Sequence, residues 1–246
     1  MKNKTLFTIA GGIAVLAITS VTTIGCAAQG TATQTSALNQ ATQGQTQDTP
    51  HPALMDPTKA TMKSPKKFQV TFETTKGDIK IEVTRAWAPN GADRFYNLCK
   101  IGYFNDVAIF RAVKGFMFQF GIHGDPAVSA KWISASIKDD PHIGVPNNPG
   151  TVSFAQTGRP NSRGVQMFVN LGANTFLDKP RSGSPFVPFG KIVGGSDVVA
   201  KINTEYGENP RDFQGNFQTK GNEYLKKEYP NIDFIKSVKS IKIIEE

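Results

Sequence analysis

Short runs of alternating apolar and polar residues follow one another after Lys67 and restrict what this chain can fold into. The first two runs are 68–74 and 79–83, in which Phe, Val and Ile alternate with polar side chains. Gly77 lies between them and is typical of a turn. A period of two residues indicates a half-buried β-strand, so the two runs predict a hairpin. The chain is therefore expected to be mainly antiparallel β-structure.

Two helices interrupt the strands. One is predicted from Pro89, which suits the first helical position, to Gly102. The other is predicted from Ser196, a good N-cap, to about Gly207. Further strands are predicted near Ile109 and at 116–120, 151–154, 166–169, 189–193 and 235–244, with a short helix at 224–228. Many strands with two separated helices favour a closed barrel, because closure removes exposed strand edges.

The N-terminal region has the composition of an export signal. Lys2 and Lys4 precede an uncharged apolar stretch at 6–18. A charged start followed by a short apolar segment is typical of a secretory signal peptide, and this stretch is too short and too rich in Gly and Thr for a membrane span. Residues 1–25 are therefore predicted to be a signal peptide, and the chain is predicted to be exported.

A cysteine follows this apolar stretch. The segment from Val21 to Cys26 resembles a bacterial lipobox, the signal after which the cysteine is acylated and becomes the first residue, although Thr23 stands where Leu is usual. The expectation is a lipoprotein anchored in the cell envelope, on the periplasmic face if there are two membranes. The alternative is ordinary cleavage after Ala28, which would release a soluble periplasmic or secreted protein.

The next part of the chain is poor in large apolar residues. From 26 to 66 it is dominated by Thr, Gln, Ala and Ser and is nearly free of charge before its last residues. Such a composition cannot bury enough surface to offset the entropy cost of ordering. This range is predicted to be a flexible tether, and 67–246 is predicted to be the folded domain.

The net charge of +8 raises the question of a nucleic-acid partner. Lys2 and Lys4 lie in the predicted signal peptide, and most other lysines are spread along the chain. A basic tract without interleaved aromatic residues is more often a solvated face. The chain is therefore not expected to bind nucleic acid, and attraction to anionic lipid head groups fits better.

Cys99 is the other cysteine of the chain. It falls on the first predicted helix beside Phe95 and Leu98. If Cys26 is acylated, one remaining thiol cannot form an internal disulfide. Cys99 is predicted to be a small buried side chain of the core.

An arginine and several amides stand among apolar and aromatic residues in the middle of the chain. The run 110–119 contains Arg111 and Gln119, and Gln156 and Gln166 follow in two later strand segments. Rotation about an X-Pro bond must cross a barrier of roughly 18–20 kcal/mol, because the C–N bond is partly double. A seat for the pyrrolidine ring and a hydrogen-bond donor would lower it. The composition therefore favours turning a peptide bond over cutting one.

Five blocks in order carry a family resemblance. They are Phe110-Arg111 with 115–119, then 150–156, 166–168, 174–178 and 189–193. On these blocks the chain from 67 to 246 resembles the cyclophilins, the peptidyl-prolyl cis-trans isomerases built on an eight-stranded antiparallel barrel capped by two α-helices. The stretches 87–98 and 119–126 are similar to a bacterial branch of the family.

The resemblance implies roles for particular residues. Arg111 takes the place of the catalytic arginine. The implied substrate-binding residues are Phe116, Met117, Gln119, Ala155, Gln156, Gln166, Phe168, Phe176, Leu177 and Phe186. No metal or cofactor is implied. The expected partners are proline-containing peptides and exported proteins that are still folding, and the expected state is a monomer.

Two other functions are compatible with parts of the sequence. A non-catalytic cyclophilin-like module or chaperone would keep the barrel and the groove and would bind proline-containing partners without turning the bond. An anchored solute-binding lipoprotein would share the signal and the tether. It would require two larger α/β lobes, which the strand-rich pattern does not predict.

Overall fold

The computed structural model describes residues 50–180, 183–212 and 214–246, which form a curled antiparallel sheet of nine strands and five α-helices. The strands are β1 (Lys67–Thr74), β2 (Gly77–Thr84), β3 (Val107–Ala108), β4 (Arg111–Val113), β5 (Met117–Phe120), β6 (Thr151–Phe154), β7 (Met167–Asn170), β8 (Pro188–Gly194) and β9 (Phe234–Glu245). The helices are α1 (Pro89–Lys100), α2 (Pro126–Trp132), α3 (Ser196–Val199), α4 (Asn209–Asp212) and α5 (Gln214–Glu228). The predicted signal peptide, Cys26 and the first part of the predicted tether lie outside the described residues.

The sheet curls back on itself through one short segment. Its strand order is β3-β9-β1-β2-β8-β6-β7-β5-β4, so β3 and β4 are its two ends. Only Ile109 and Phe110 separate these two strands along the chain. The segment 107–113 therefore pairs with β9 on one side and with β5 on the other. The prediction of a mainly antiparallel β-fold is confirmed, and the sheet has eight strands if this segment is counted as one bent strand.

The first hairpin packs its apolar face against α1. In β1 every second side chain is buried, including Phe68 and Phe72. The ring of Phe95 on α1 lies 6.4 Å from that of Phe68 and 5.9 Å from that of Phe72, between ring centroids. Burial of one such ring contributes about 1.5–3 kcal/mol. The apolar residues that alternate with polar ones in the sequence of β1 are therefore those whose side chains are buried in the core.

The helices between β8 and β9 differ from the prediction. The helix predicted from Ser196 to about Gly207 ends at Val199. Beyond it, the N–H of Asn203 donates to the Asp233 carboxylate at 2.7 Å instead of to a carbonyl of the helix. The short helix predicted at 224–228 is the end of α5, whose backbone breaks helical geometry at Gly221. Within the described ranges, no helix has both the length and the apolar character needed to cross a membrane.

Helix α2 was not predicted from the sequence. It begins after Asp125, whose carboxylate accepts a hydrogen bond from the N–H of Ala127 at 2.8 Å, and it has Pro126 at its first position. An aspartate before a proline is an N-terminal helix signal that could have been recognised.

Ordered structure begins before the predicted boundary at Lys67. Residues 50–66 contain two 3₁₀ turns, Pro52–Leu54 and Pro57–Lys59, and bury Ala53 completely. The indole N–H of Trp132 donates to the Leu54 carbonyl at 2.8 Å. The side chain of Asn97 bonds both the N–H and the carbonyl of Met62, at 3.0 and 2.6 Å. The composition of this segment did not predict its structure, because the side chains that bind it belong to α1 and α2, which lie elsewhere in the sequence.

Cys99 lies on α1 and is buried. Burial raises the pKa of its thiol well above the ordinary value, because the thiolate would lose its hydration. The prediction that Cys99 is a side chain of the core is confirmed.

Candidate active site

A groove with a volume of about 440 Å³ brings most of the predicted site residues together. Its walls include Arg111, Phe116, Met117, Gln119, Ala155, Gln156, Gln166, Phe168, Leu177 and Phe186. Phe176 does not line the groove. Its side chain is 60% exposed and stacks on the Phe116 ring, with 6.0 Å between the ring centroids.

One part of the groove is an apolar hollow. Its side chains are Phe116, Met117, Phe168, Leu177 and Phe186. Met117 lies on β5 and Phe168 on the paired strand β7, and both are buried. Phe168 meets Phe186 edge to face with 5.7 Å between ring centroids. A hollow of this composition can seat a small apolar ring.

Buried amides hold the walls of this hollow in place. Asn147 is completely buried, and its side-chain amide donates to the Phe186 carbonyl at 2.7 Å. The amide of Asn174 donates to the Phe116 carbonyl at 2.8 Å. Satisfied buried amides rigidify their surroundings, so both walls are pre-organised. Sequence reasoning missed Asn147, because an asparagine between prolines is typical of an ordinary loop.

A row of polar side chains crosses the sheet beside the hollow. Arg111 opens β4 and faces Gln119 of β5 in the strand register. Its Nη1 donates to Gln119 Oε1 at 3.1 Å, and Gln119 Nε2 donates to Gln166 Oε1 at 2.8 Å. We call Arg111, Gln119 and Gln166 the polar row. Gln119 is buried and contacts Arg111, so it orients the cation in addition to facing the groove.

The guanidinium of Arg111 lies against the apolar hollow. Its central carbon is 5.6 Å from the centroid of the Phe116 ring, within the range of a cation–π contact. The Arg111 side chain is 16% exposed, so water reaches only part of it. Reduced contact with water strengthens the hydrogen bonds that the cation donates.

Glu208 is the contact of Arg111 that sequence reasoning missed. Nε of Arg111 donates to Glu208 Oε2 at 2.8 Å, and Nη2 donates to Oε1 at 2.7 Å. This is the bidentate geometry in which arginine binds a carboxylate most specifically. No local pattern around Glu208 distinguishes it from a surface acid.

The remaining wall includes residues from α2 and α5. Trp132 and Ile133 line it at the end of α2, and Gln214 and Gln218 line it from α5. The Nε2 of Gln166 donates to Gln214 Oε1 at 3.2 Å, which ties α5 to the polar row. Sequence reasoning did not assign any of these residues to the groove.

The edge predicted to bind a peptide backbone follows β6. The N–H of Ala155 donates to the Gln166 carbonyl at 2.9 Å, and the side-chain amide of Gln156 donates to the Ser184 carbonyl. The side chain of Gln156 is therefore held by the backbone of Ser184. The groove therefore combines the polar row with the apolar hollow.

Fold and groove together define a class: a curled antiparallel β-protein with a groove suited to a peptide that carries a small apolar ring. A family model described as cyclophilin type peptidyl-prolyl cis-trans isomerase/CLD matches residues 69–221. The chain therefore belongs to the cyclophilin-type peptidyl-prolyl cis-trans isomerase family, and the resemblance seen in the sequence is confirmed.

Relatives and solved structures agree with this family. Peptidyl-prolyl cis-trans isomerase B of Escherichia coli strain K12 is 35% identical over 136 residues, which cover 54% of this chain and 82% of that protein. A peptidyl-prolyl cis-trans isomerase of Acinetobacter baylyi is 34% identical over 133 residues, covering 54% of this chain and 70% of that protein. The crystal structure of a Cryptosporidium parvum cyclophilin-type isomerase has a TM-score of 0.51 and 22% identity, and the match covers 73% of this chain and 99% of that one. At that identity the structural likeness shows the fold alone.

Proposed function

We propose that this chain catalyses the cis–trans isomerisation of X-Pro peptide bonds. The observation that carries the proposal is the position of Arg111, whose guanidinium lies against the apolar hollow in one groove. The relatives from Escherichia coli and Acinetobacter baylyi are named for this activity.

The mechanism follows from the electronic structure of the amide. In the planar amide the proline nitrogen shares its lone pair with the carbonyl, and in the twisted transition state the pair is localised on nitrogen. A donor near that nitrogen therefore bonds more strongly as the bond turns, which lowers the barrier. No covalent bond is broken, so neither a nucleophile nor a general acid is needed.

Arg111 retains donors for this step. Its bonds to Glu208 and Gln119 use three guanidinium N–H groups. An arginine carries more donors than that, and the others have no partner among the described residues. The apolar hollow seats the pyrrolidine ring, so the carbonyl side of the bond can swing past the donor.

The proposed substrates are proline-containing segments of exported proteins that have not finished folding. Uncatalysed X-Pro isomerisation takes tens to hundreds of seconds and can limit folding. We further propose that the chain acts as a monomer.

Replacement of Phe168 by alanine is expected to lower kcat/KM about ten- to hundredfold, mainly by raising KM. The ring forms one wall of the hollow, and the loss of about 1.5–3 kcal/mol of apolar contact corresponds to that factor. The measurement is a protease-coupled isomerisation assay on a short X-Pro peptide. Ile243→Ala, on the exposed end of β9, is the control and should match the wild type.

Two results of this assay would count against the proposal. If the wild-type protein isomerised the peptide no faster than buffer does, the proposed isomerase activity would be wrong. If the wild type then still bound the peptide, the non-catalytic binding module would be the better description.

We also propose that the chain is exported and anchored through an acylated Cys26. The proposal rests on the charged residues, the apolar stretch and the small residue before the cysteine in 2–26. Acylation should add the mass of the lipid chains to a mature protein that begins at Cys26. Intact-mass measurement of the native protein tests this, and an unmodified chain beginning at Gln29 would contradict it.

A further inference from the structure

We propose that Glu208 is a positioning residue that holds the guanidinium of Arg111 in its catalytic orientation. This inference rests on the proposed isomerase function and adds to it a residue outside the apolar hollow and the polar row. Glu208 contacts the cation from the side of the chain that precedes α4.

The backbones of the two residues are joined beside the site. The N–H of Ala112 donates to the Gly207 carbonyl at 3.4 Å, and the two residues form an isolated β-bridge. Arg111 directly precedes Ala112, and Glu208 directly follows Gly207. Gly207 has a φ of 53°, in the left-handed region that glycine adopts at no steric cost. The two side chains are thus presented to each other from anchored positions.

A second arginine also contacts this carboxylate. Nη1 of Arg211 lies 3.0 Å from Glu208 Oε2, the same oxygen that accepts from Arg111 Nε. Glu208 therefore bridges two arginines, and its carboxylate is fixed between them. With its own position restricted, it can restrict the rotamer of Arg111 in turn.

Glu208 and Gln214 contact the two ends of the polar row. Glu208 holds Arg111 at one end, and Gln214 accepts from Gln166 at the other. Gln119 connects the two ends by its own hydrogen bonds. Contacts from Glu208 and Gln214 therefore hold both ends of the polar row.

The exposure of Glu208 indicates whether its loss should affect folding or catalysis. The side chain of Glu208 is 40% exposed. Ion pairs that water reaches contribute little to folding stability. Misplacement of a catalytic group by about 1 Å can cost about a hundredfold in rate. The loss of Glu208 should therefore change catalysis much more than folding.

The test is the isosteric change Glu208→Gln. The new amide keeps one oxygen acceptor but turns an N–H group toward the guanidinium, so the bidentate contact is lost. We expect kcat to fall about tenfold, with KM within about twofold, because the ring is still seated in the apolar hollow. Glu228→Gln, an exposed acid on α5, is the matched control and should behave as the wild type in activity and in thermal unfolding.

A double-mutant cycle tests whether Glu208 acts through Arg111. In an Arg111→Ala background, Glu208→Gln should cause no further loss of activity. An equal loss in both backgrounds, or an unchanged kcat in the single variant, would overturn the proposal.

A spectroscopic measurement separates this inference from the proposed function. The Nε–H resonance of Arg111, assigned by its disappearance in Arg111→Ala, should shift in Glu208→Gln and not in Glu228→Gln. If the wild type shows no isomerase activity, the proposed function fails, while a shifted resonance still supports the contact. An unshifted resonance overturns the positioning role whatever the activity.

Discussion

Replacement of Arg111 by alanine is expected to lower kcat/KM for an X-Pro peptide by about a hundred- to a thousandfold, which is the usual loss when one transition-state donor is removed. The guanidinium is the cation of the groove that lies against the apolar hollow. Its N–H groups are the donors that can bond the proline nitrogen when the lone pair is localised there. Without them the twisted amide loses the charged donor that lies against the apolar hollow.

The decrease in kcat/KM of Arg111→Ala should come mainly from a lower kcat. The apolar hollow remains, so peptide affinity should stay within a fewfold of the wild type. The coupled isomerisation assay gives the rate, and titration of a labelled peptide gives the affinity. Lys80→Ala, an exposed cation on β2, is the control for a general charge effect. An undiminished rate in Arg111→Ala would refute the mechanism.

Arg111→Lys separates charge from geometry. Lysine keeps the positive charge but has no planar fork, so it cannot bind Glu208 through two parallel bonds and also donate to the substrate. A variant as slow as Arg111→Ala would show that the fork is required. Full activity with lysine would show that the charge alone suffices, against the geometry proposed for Arg111.

Replacement of Asp140 by alanine is expected to destabilise the fold by about 3–5 kcal/mol, the usual cost of removing one partner of a buried ion pair. Arg163 is 1% exposed, and its Nη1 lies 3.0 Å from Asp140 Oδ2. The same carboxylate accepts from the N–H groups of Asn90 and Gly91 at 2.8 and 2.9 Å. These amides belong to the first turn of α1, where a negative charge is favourable.

Loss of the carboxylate therefore has two consequences. It leaves the guanidinium of Arg163 buried with the more distant Asp139, whose Oδ1 is 3.4 Å from Nε. It also leaves the first amides of α1 without their acceptor. Chemical denaturation measures the change in the free energy of unfolding. The matched control is Asp197→Ala, whose pair with Lys201 is exposed to water and should contribute little to stability. Equal losses in the two variants would contradict the argument from burial.

Asp139 and Asp140 are adjacent carboxylates, but they do not form part of the candidate active site. They lie in an irregular segment, away from the groove lining. The ion pair between Asp140 and Arg163 could not be predicted, because the two residues are 23 positions apart. The residues around Arg163 also show no pattern that indicates a buried side chain.

The strands and α1 were predictable because their signals are local. Alternating side chains in β1 and β2 report which face is buried, and Pro89 marks where α1 begins. Arg111 and the residues of the apolar hollow other than Phe186 could be named in advance because they fall within short blocks characteristic of the family. Residues 50–66 were misjudged because a segment poor in large apolar groups can still be ordered by hydrogen bonds from Asn97 and Trp132.

The sequence by itself determined the antiparallel strands, the helix after Pro89 and the blocks that place Arg111 among aromatic residues. Only the tertiary structure brought Glu208 to Arg111, across 97 positions of the chain. The physical reason is that periodicity and turn residues report the environment of neighbouring residues, whereas a contact between distant segments depends on how the sheet curls and where the later chain returns. Such a contact leaves no pattern near either residue.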